Sequence, residues 1–193
     1  MLENNIPGYM SGSQPKILFD LVKDYNNINC IGVEIGSLFG RSSSVLAQAI
    51  PDGKLYCIDP WENNKIDDQG FSEEYIAINN FPKTGMVSNL EIFKEYTKKF
   101  TNIIPIQGFS PQCCSTFNFS VDFVFLDALH CNPSDRDNID FWLPKIKSRG
   151  LFIGHDYNNN FLDVLENVQY LETKLNKKVT TSVGNGSLWW FQI

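Results

Sequence analysis

The chain has 193 residues, 42% of them hydrophobic and 20% charged, which is typical of one globular domain with a substantial core. The formal net charge is −6 and no lysine or arginine cluster is present, which argues against a surface that tracks nucleic-acid phosphates. We therefore expect a small-molecule partner, or a short acceptor group on a larger molecule.

Cysteine usage indicates a reducing compartment. The five cysteines are odd in number and show no CxxC spacing, so neither a disulfide framework nor a zinc site is expected. The first fourteen residues lack a basic segment followed by an apolar one, and no window approaches 18 uninterrupted apolar residues. These features predict a cytoplasmic protein that neither is secreted nor spans a membrane.

Strands and helices are predicted to alternate along the chain. Apolar residues at helical spacing predict helices over residues 14–26, 41–50, 86–100, 134–146 and 161–175. Apolar runs bounded by glycine, proline or acids predict strands over residues 30–35, 54–58, 103–107, 121–126, 151–154, 178–183 and 187–193. The polar segment 61–81 is expected to be a loop with one short helix at 72–78, and the glycines of 184–186 predict a hairpin turn.

Near-continuously apolar strands separated by helices predict an α/β fold, a doubly wound and mainly parallel sheet with helices on both faces. The terminal hairpin would add antiparallel pairing at one edge. No repeat or interdomain linker is visible, so residues 1–193 are expected to form a single domain. In this domain residues 1–28 would be an N-terminal cap and residues 61–100 a loop and helix insertion over the site.

The segment VEIGSLFGRSS, residues 33–43, carries the strongest local signal. A predicted apolar strand ends at Gly36, and a helix is predicted to begin after Gly40. Asp59 ends the next predicted strand. A dinucleotide fingerprint starting at Gly36 would need glycine at 38 and 41, where Leu38 and Arg41 stand. The pattern therefore favours a nucleoside cofactor without a pyrophosphate over NAD.

In an open parallel sheet the ligand binds outside the carboxyl ends of the strands. Both histidines and several acids follow predicted strands, in the segments LDALH (Asp127 and His130) and IGHDY (His155 and Asp156). Titratable groups at one rim suit general-base chemistry, and two carboxylates from adjacent strand ends can share Mg²⁺. Helix capping by these acids, or a structural histidine, is the alternative.

Other residues at the same rim each have a functional and a structural interpretation. Glu34 lies inside an apolar strand, so it either ties down a loop or meets a ligand ammonium group. Asp59 can accept hydrogen bonds from a ribose diol or cap a turn. Trp61 can wall an adenine pocket or belong to the core, and Phe109 with Ser110 can frame the adenine edge or form an ordinary turn.

The segments VEIGSLFGRSS, CIDPW, VDFVFLDALH, FWLPKIKSRGLFIGHDY and SLWWF together resemble class I S-adenosylmethionine-dependent methyltransferases. Within that class, the subgroup related to macrocin O-methyltransferase and the cephalosporin-hydroxylase-like proteins is the most similar. The resemblance runs from about residue 6 to residue 193 and implies a Rossmann-like seven-stranded sheet with the antiparallel hairpin last.

The resemblance also implies site roles. Glu34, Gly36 and Ser37 would line the methionine part of the cofactor, with Ser42 and Ser43 at the helix start below it. Asp59 would hold the ribose beside Pro60 and Trp61, and Phe109 and Ser110 would border the adenine. Asp127, His130 and the segment His155-Asp156-Tyr157 match the family's positions after the fourth and fifth strands.

This chain departs from the family at three places, one of which is Asn138, where an acid is common and Asp140 stands nearby. Members commonly carry an aromatic residue and an acid soon after the histidine, where this chain has Cys131-Asn132-Pro133. Relatives that use a metal often have paired acids after the fifth strand, where only Asp156 stands here. Asp127 and Asp156 are the predicted ligands if Mg²⁺ is used.

These observations predict an enzyme (EC 2.1.1.-) that transfers a methyl group from S-adenosylmethionine to a hydroxyl of a sugar or natural-product scaffold. His130 is the first choice for the base and His155 the second, while Asp127 would orient the cofactor or hold Mg²⁺. Residues 6–12 and 63–80 would cover the acceptor. The alternatives are a non-catalytic cofactor-binding protein or partner subunit, and an NAD-linked oxidoreductase, which the glycine spacing disfavours; a homo-oligomer is compatible with each.

Overall fold

The computed structural model describes residues 6–62, 88–182 and 188–193. Its strands are β1 (Ile31–Ile35), β2 (Lys54–Asp59), β3 (Ile103–Gln107), β4 (Val121–Leu126), β5 (Ile146–Gly154), β6 (Thr180–Thr181) and β7 (Trp189–Gln192). Its α-helices are α1 (Gln14–Val22), α2 (Arg41–Ala49), α3 (Asn89–Thr97), α4 (Ser134–Trp142) and α5 (Leu162–Leu175).

All seven strands of the described residues join one sheet in the order β3-β2-β1-β4-β5-β7-β6. Strands β1 to β5 pair in parallel, and β7 runs antiparallel between β5 and β6. The chain reverses its direction of progress along the sheet between β1 and β4, which is the topological switch point where such folds bind ligands. The predicted Rossmann-like sheet with antiparallel terminal strands is confirmed.

Alternation along β4 shows how the sheet builds two cores. Phe123 and Phe125 pack in the cluster that α1 and α2 cover, whereas Val124 and Leu126 pack in the cluster that α4 and α5 cover. Because successive strand residues point to opposite faces, a continuously apolar strand is the sequence signature of a sheet covered on both sides. The result is three layers, with the site left at the strand ends.

Several element ends differ from prediction. The predicted helix 134–146 ends as an α-helix at Trp142 and continues as a 3₁₀ turn over Leu143–Lys145, since Pro144 lacks an N–H for the helix. Strand β5 accordingly begins at Ile146, where it pairs with Val121, rather than at residue 151. The helix predicted over 14–26 likewise ends in a 3₁₀ turn over Lys23–Tyr25.

The helix predicted over 86–100 is Asn89–Thr97, and a capping box between Ser88 and Glu91 fixes its start. Strand β6 spans two residues rather than the six predicted. The predicted helix at 72–78 and the turn at 184–186 lie outside the described residues. Among the helices that are described, none combines the length and apolar character needed to cross a bilayer.

Candidate active site

A cavity of about 730 Å³ opens where the parallel strands end. Its walls come from the segments that follow β1, β2, β3, β4 and β5, and residues Pro7 to Ser11 of the N-terminal segment close one side. This volume lies within the range of small-molecule sites. The N-terminal segment therefore contributes to the cavity, whereas residues 63–80, expected to form the rest of the cover, lie outside the described part of the chain.

All but two of the predicted site residues line this cavity. Those on its wall are Gly36, Ser37, Ser42, Asp59, Pro60, Trp61, Phe109, Ser110, Asp127, His130, His155 and Asp156. The exceptions, Glu34 and Ser43, are fully buried behind the wall. Most of the predicted site residues thus line one cavity, and the other two lie behind its wall.

Glu34 ties the β1 end to helix α2. Its Oε2 accepts hydrogen bonds from the hydroxyls of Ser37, at 2.7 Å, and Ser43. Burial raises the pKa of this carboxyl, although the hydroxyls of Ser42, Ser43 and Ser37 favour the charged form. Of the two readings of Glu34, these contacts support the loop tie, and they leave it facing serines rather than the cavity.

Gly36 stands where the ends of β1 and β4 come together. With φ of +89°, a Cβ at this position would lie 1.9 Å from the backbone oxygen of Asp127. The glycine therefore lets the ends of β1 and β4 approach each other. Gly36 lines the cavity, and the backbone around its contact with Asp127 forms the cavity floor.

Asp59 joins two loops at the cavity wall. Its Oδ2 accepts a hydrogen bond from the Leu38 amide at 2.9 Å, and its Oδ1 accepts one from the Trp61 amide at 2.7 Å. Burial raises the pKa of this carboxyl, and these two amides and that of Ser37 oppose the shift. Each carboxylate oxygen has a second lone pair, so the turn contacts leave Asp59 able to accept from a ligand hydroxyl.

Trp61 belongs to both the core and the wall. Its side chain is 3% exposed, its ring centroid lies 4.8 Å from that of Phe93, and its Nε1 donates to the carbonyl of Leu38 at 2.7 Å. Phe109, by contrast, is 48% exposed at the cavity rim. Ser110 beside it is buried, where its hydroxyl accepts a hydrogen bond from Trp142 Nε1 at 3.0 Å.

Four non-glycine residues with positive φ lie at the ends of four parallel strands and line the cavity. They are Leu38 (44°), Trp61 (43°), His130 (56°) and Asp156 (59°). Side chains rarely adopt this conformation, and backbone strain of this kind concentrates at ligand sites. These strained backbone conformations therefore occur where the residues after the strands line the cavity.

Two histidines and two carboxylates form one cluster on the wall. His130 Nε2 lies 3.2 Å from Asp156 Oδ2 and 3.8 Å from Asp127 Oδ1. His155 Nδ1 lies 3.0 Å and 3.5 Å from the same two oxygens. Each carboxylate thus has an imidazole on both sides, an arrangement that can accept, hold and return a proton.

Charge within the cluster shifts the pKa values of two of its members. Burial disfavours a charged His155, but Asp127 and Asp156 outweigh burial and raise the pKa of His155 to about 10. Burial likewise works against a charged Asp127, but His155 and His130 lower its pKa below the ordinary value. At neutral pH we expect a positive His155 between negative carboxylates, with His130 on the more open side, its ring edge-to-face with Phe161 at 4.9 Å.

Three residues that the structure places at or behind the site were not predicted from the sequence. Arg41 and Phe161 line the cavity, and Asp135 lies behind the cluster with a side chain that is almost wholly buried. Asp135 follows a predicted helix start, where an acid ordinarily caps a helix or faces solvent. Helical spacing separates it from the exposed Asp137, because Asp135 lies on the same predicted helix face as Ile139 and Trp142.

Comparisons with solved structures show the same fold in enzymes with different substrates. The precorrin-6y C5,15-methyltransferase of Geobacter metallireducens shares 12% identity, with a TM-score of 0.68 over 100% of this chain and 97% of that one. An O-methyltransferase of Bacillus cereus, in complex with SAH, shares 18% identity, with a TM-score of 0.59 over 98% and 85%. An rRNA methylase of Streptococcus thermophilus shares 12% identity, with a TM-score of 0.58 over 94% and 96%.

The sheet order, the flanking helices and these neighbours define a protein of the Rossmann-like methyltransferase fold. No sequence among the curated proteins matches this chain significantly. The model of the family described as "Methyltransferase domain" matches residues 33–157, which hold most of β1, all of β2 to β5 and all four members of the histidine and carboxylate cluster. The chain belongs to this family.

Proposed function

We propose that this protein transfers a methyl group from S-adenosylmethionine to a hydroxyl of a small molecule, with a sugar or natural-product scaffold as the acceptor. The observation that carries the proposal is the placement of His130. Its ring lines the cavity, and its Nε2 lies 3.2 Å from Asp156. An imidazole beside carboxylates is suited to accept the proton that a hydroxyl loses as its oxygen becomes a nucleophile.

The residues around the cavity fit a nucleoside cofactor. Asp59 offers two oxygens with remaining lone pairs toward a ribose diol, and the exposed ring of Phe109 suits contact with a base. Gly36, Ser37 and Ser42 line the same cavity, where they would contact the methionyl group. When bound, S-adenosylmethionine supplies an electrophilic methyl group on a sulfonium.

The protein's own residues would then do three things. The walls hold the acceptor hydroxyl in line with the donor, and this alignment supplies much of the rate acceleration. His130 takes the hydroxyl proton, and the imidazolium that forms is stabilised by Asp127 and Asp156. His155 balances the remaining carboxylate charge, so the cluster is not left strongly negative beside the proton acceptor.

The cluster suits this role better than it suits Mg²⁺. Asp127, His130 and Asp156 each offer a ligand atom, and these atoms lie within 4.8 Å of one another, close enough for one cation. However, Mg²⁺ prefers an all-oxygen shell and retained waters, whereas these oxygens have imidazole nitrogens on both sides. We therefore propose a reaction that does not pass through a metal.

Calorimetry with S-adenosylmethionine, S-adenosylhomocysteine and NADH tests the cofactor, and a methyl-release assay on a panel of hydroxylated acceptors tests the reaction. We expect binding of both adenosyl ligands, no binding of NADH, and turnover on at least one acceptor. Cofactor binding without turnover on any acceptor would favour a non-catalytic binding protein. Tight NADH binding alone would contradict the proposal.

A further inference from the structure

A second, much smaller cavity of about 10 Å³ lies behind the histidine and carboxylate cluster. Asp135 of helix α4 and His155 of the β5 end line it, together with His130, Asn167 and apolar side chains. It is distinct from the large cavity, and the mechanism above uses neither this space nor Asp135. The question is what a buried acid does there.

Two polar atoms on residues lining this cavity have no hydrogen-bond partner, namely Asp135 Oδ1 and His155 Nε2. The two residues are only 3% and 6% exposed. Asn167 completes neither atom in the structure; its Nδ2 donates to Asn132 and its Oδ1 accepts from Arg136. Native structures rarely leave buried polar atoms unpaired, and a bound water is the common solution.

We propose that one buried water bridges Asp135 Oδ1 and His155 Nε2, which makes Asp135 a positioning residue for the cluster. A cavity of about 10–15 Å³ is enough for one water. If the ring is charged, Nε2 donates to the water and the water donates to Asp135. If the ring is neutral with its proton on Nδ1, the water donates one O–H to Nε2 and the other to Asp135, so both atoms are satisfied in either state.

This bridge fixes the direction of the His155 ring. With Nε2 held by the water on one side, Nδ1 keeps its proton toward Asp127 and Asp156, 3.5 Å and 3.0 Å away. A hydrogen bond at each ring nitrogen sets the orientation of the imidazole, whether the ring is charged or neutral. Asp135 therefore acts on the wall of the large cavity through His155, without touching a ligand itself.

A high-resolution crystal structure of the full chain tests the bridge directly, and ring ¹⁵N spectra of His155 test its effect. We expect a water peak between Asp135 and His155 in the unsubstituted protein. Asp135→Leu should change the chemical shifts of the His155 ring nitrogens, whereas Asp135→Asn, which keeps an acceptor oxygen, should largely preserve them. Asp137→Asn, an exposed carboxylate on the same helix turn, is the matched control and should change nothing.

An empty cavity in the crystal would overturn the proposal, and so would unchanged ring shifts in Asp135→Leu. If that variant does not fold, the crystal structure of the unsubstituted protein still decides. The effect on turnover rests on the proposed function: we expect Asp135→Leu to lower kcat about 10-fold with unchanged affinity for S-adenosylmethionine. Absence of any methyl transfer would refute the proposed function, while the water and the ring shifts would still judge this inference.

Discussion

His130 has a defined surrounding on each side. Phe161 packs edge-to-face against its ring, and Asp156 and Asp127 face its Nε2. A positive φ of 56° turns the residue toward the cavity. The position and orientation of the ring are thus set before any ligand enters, which suits the proposed role in proton transfer.

Replacing this imidazole tests its role. His130→Asn should lower kcat by about 10²- to 10⁴-fold, because the acceptor hydroxyl loses its proton acceptor, while affinity for S-adenosylmethionine stays unchanged. Steady-state kinetics and calorimetry measure the two quantities. Cys131→Ser, an exposed neighbour outside the cavity, is the control. Full activity in His130→Asn would remove His130 as the base.

Asp59 is expected to carry cofactor affinity. Asp59→Asn should weaken binding of S-adenosylmethionine about 10- to 100-fold, since hydrogen bonds to a charged group contribute roughly 1.5–3 kcal/mol. Calorimetry measures the change, and a melting curve separates it from loss of the contacts to Leu38 and Trp61. Asp24→Asn, exposed near the end of α1, should bind normally; equal weakening in both variants would refute the ribose role.

The mixed cluster also makes a prediction about metals. Because each carboxylate lies beside imidazole nitrogens, treatment with EDTA followed by dialysis should leave the methyl-transfer rate unchanged within twofold. Adding Mg²⁺ to the treated protein should likewise have no effect. Loss of activity on chelation with recovery on Mg²⁺ addition would show that Asp127 and Asp156 are ligands after all.

At the scale of elements, the junction of β1 and β4 supports the whole site. The Asp127 amide donates to the carbonyl of Ile35 at 2.9 Å, so the two strand ends are directly joined. Gly36 turns away from this junction with no space for a Cβ. The floor of the cavity, Asp127 of the cluster and the loop that follows β1 are therefore held together by these contacts.

Gly36→Ala should destabilise the fold by more than about 3 kcal/mol, because the added Cβ would meet the Asp127 carbonyl as well as a strained backbone. Gly12→Ala provides the matched comparison. Gly12 also has a positive φ, of 58°, but nothing lies within 4 Å of its added Cβ, so only about 1–2 kcal/mol of strain is expected. Denaturant unfolding of both variants measures the difference; equal losses would mean that the strand contact is unimportant.

For the molecule as a whole, the buried Asp135 links stability to pH. Burial raises the pKa of Asp135 from 3.8 to about 6, with His130 opposing and Asp163 and Asp127 adding to the shift. The folded state therefore holds this proton more tightly than the unfolded chain does. The resulting stabilisation is fully present below pH 3.8 and is lost as the pH rises through 6.

Asp135→Asn removes this titration, because the amide resembles the protonated acid. Relative to the unsubstituted protein, the variant should gain free energy of unfolding as the pH rises from 4 to 7, by an amount on the order of 2–3 kcal/mol. Denaturant titrations at several pH values measure it, with Asp137→Asn as the exposed control. A difference that does not change with pH would show that Asp135 has an ordinary pKa in the fold.

Much of the fold and site followed from local pattern. The strands 103–107 and 121–126 were predicted at their observed bounds, since apolar runs and breakers are local signals. Strand ends also predicted which residues meet at the cavity, because a parallel sheet brings them to one edge. The depth of each side chain below the cavity surface could not be predicted. Glu34 and Ser43 lie behind the cavity wall because of the way α2 packs on β1.

Long-range contacts account for the other differences. The reason for glycine at position 36 is a carbonyl 91 residues later in the chain, which no local window contains. The start of β5 at Ile146 depends on its pairing with Val121. Asp135 shares the inward face of α4 with Ile139 and Trp142, which helical spacing shows, but its place behind the cluster follows from the packing of α4 against the β5 end.

A crystal structure with S-adenosylhomocysteine bound tests the central claim most directly, because it places every proposed contact at once. We predict the ribose at Asp59, the adenine beside Phe109 and Ser110, and the sulfur facing the His130 side of the cavity. Failure to bind at saturating concentration, or density for the ligand outside this cavity, would contradict the assignment of a methyl-donor site to these strand ends.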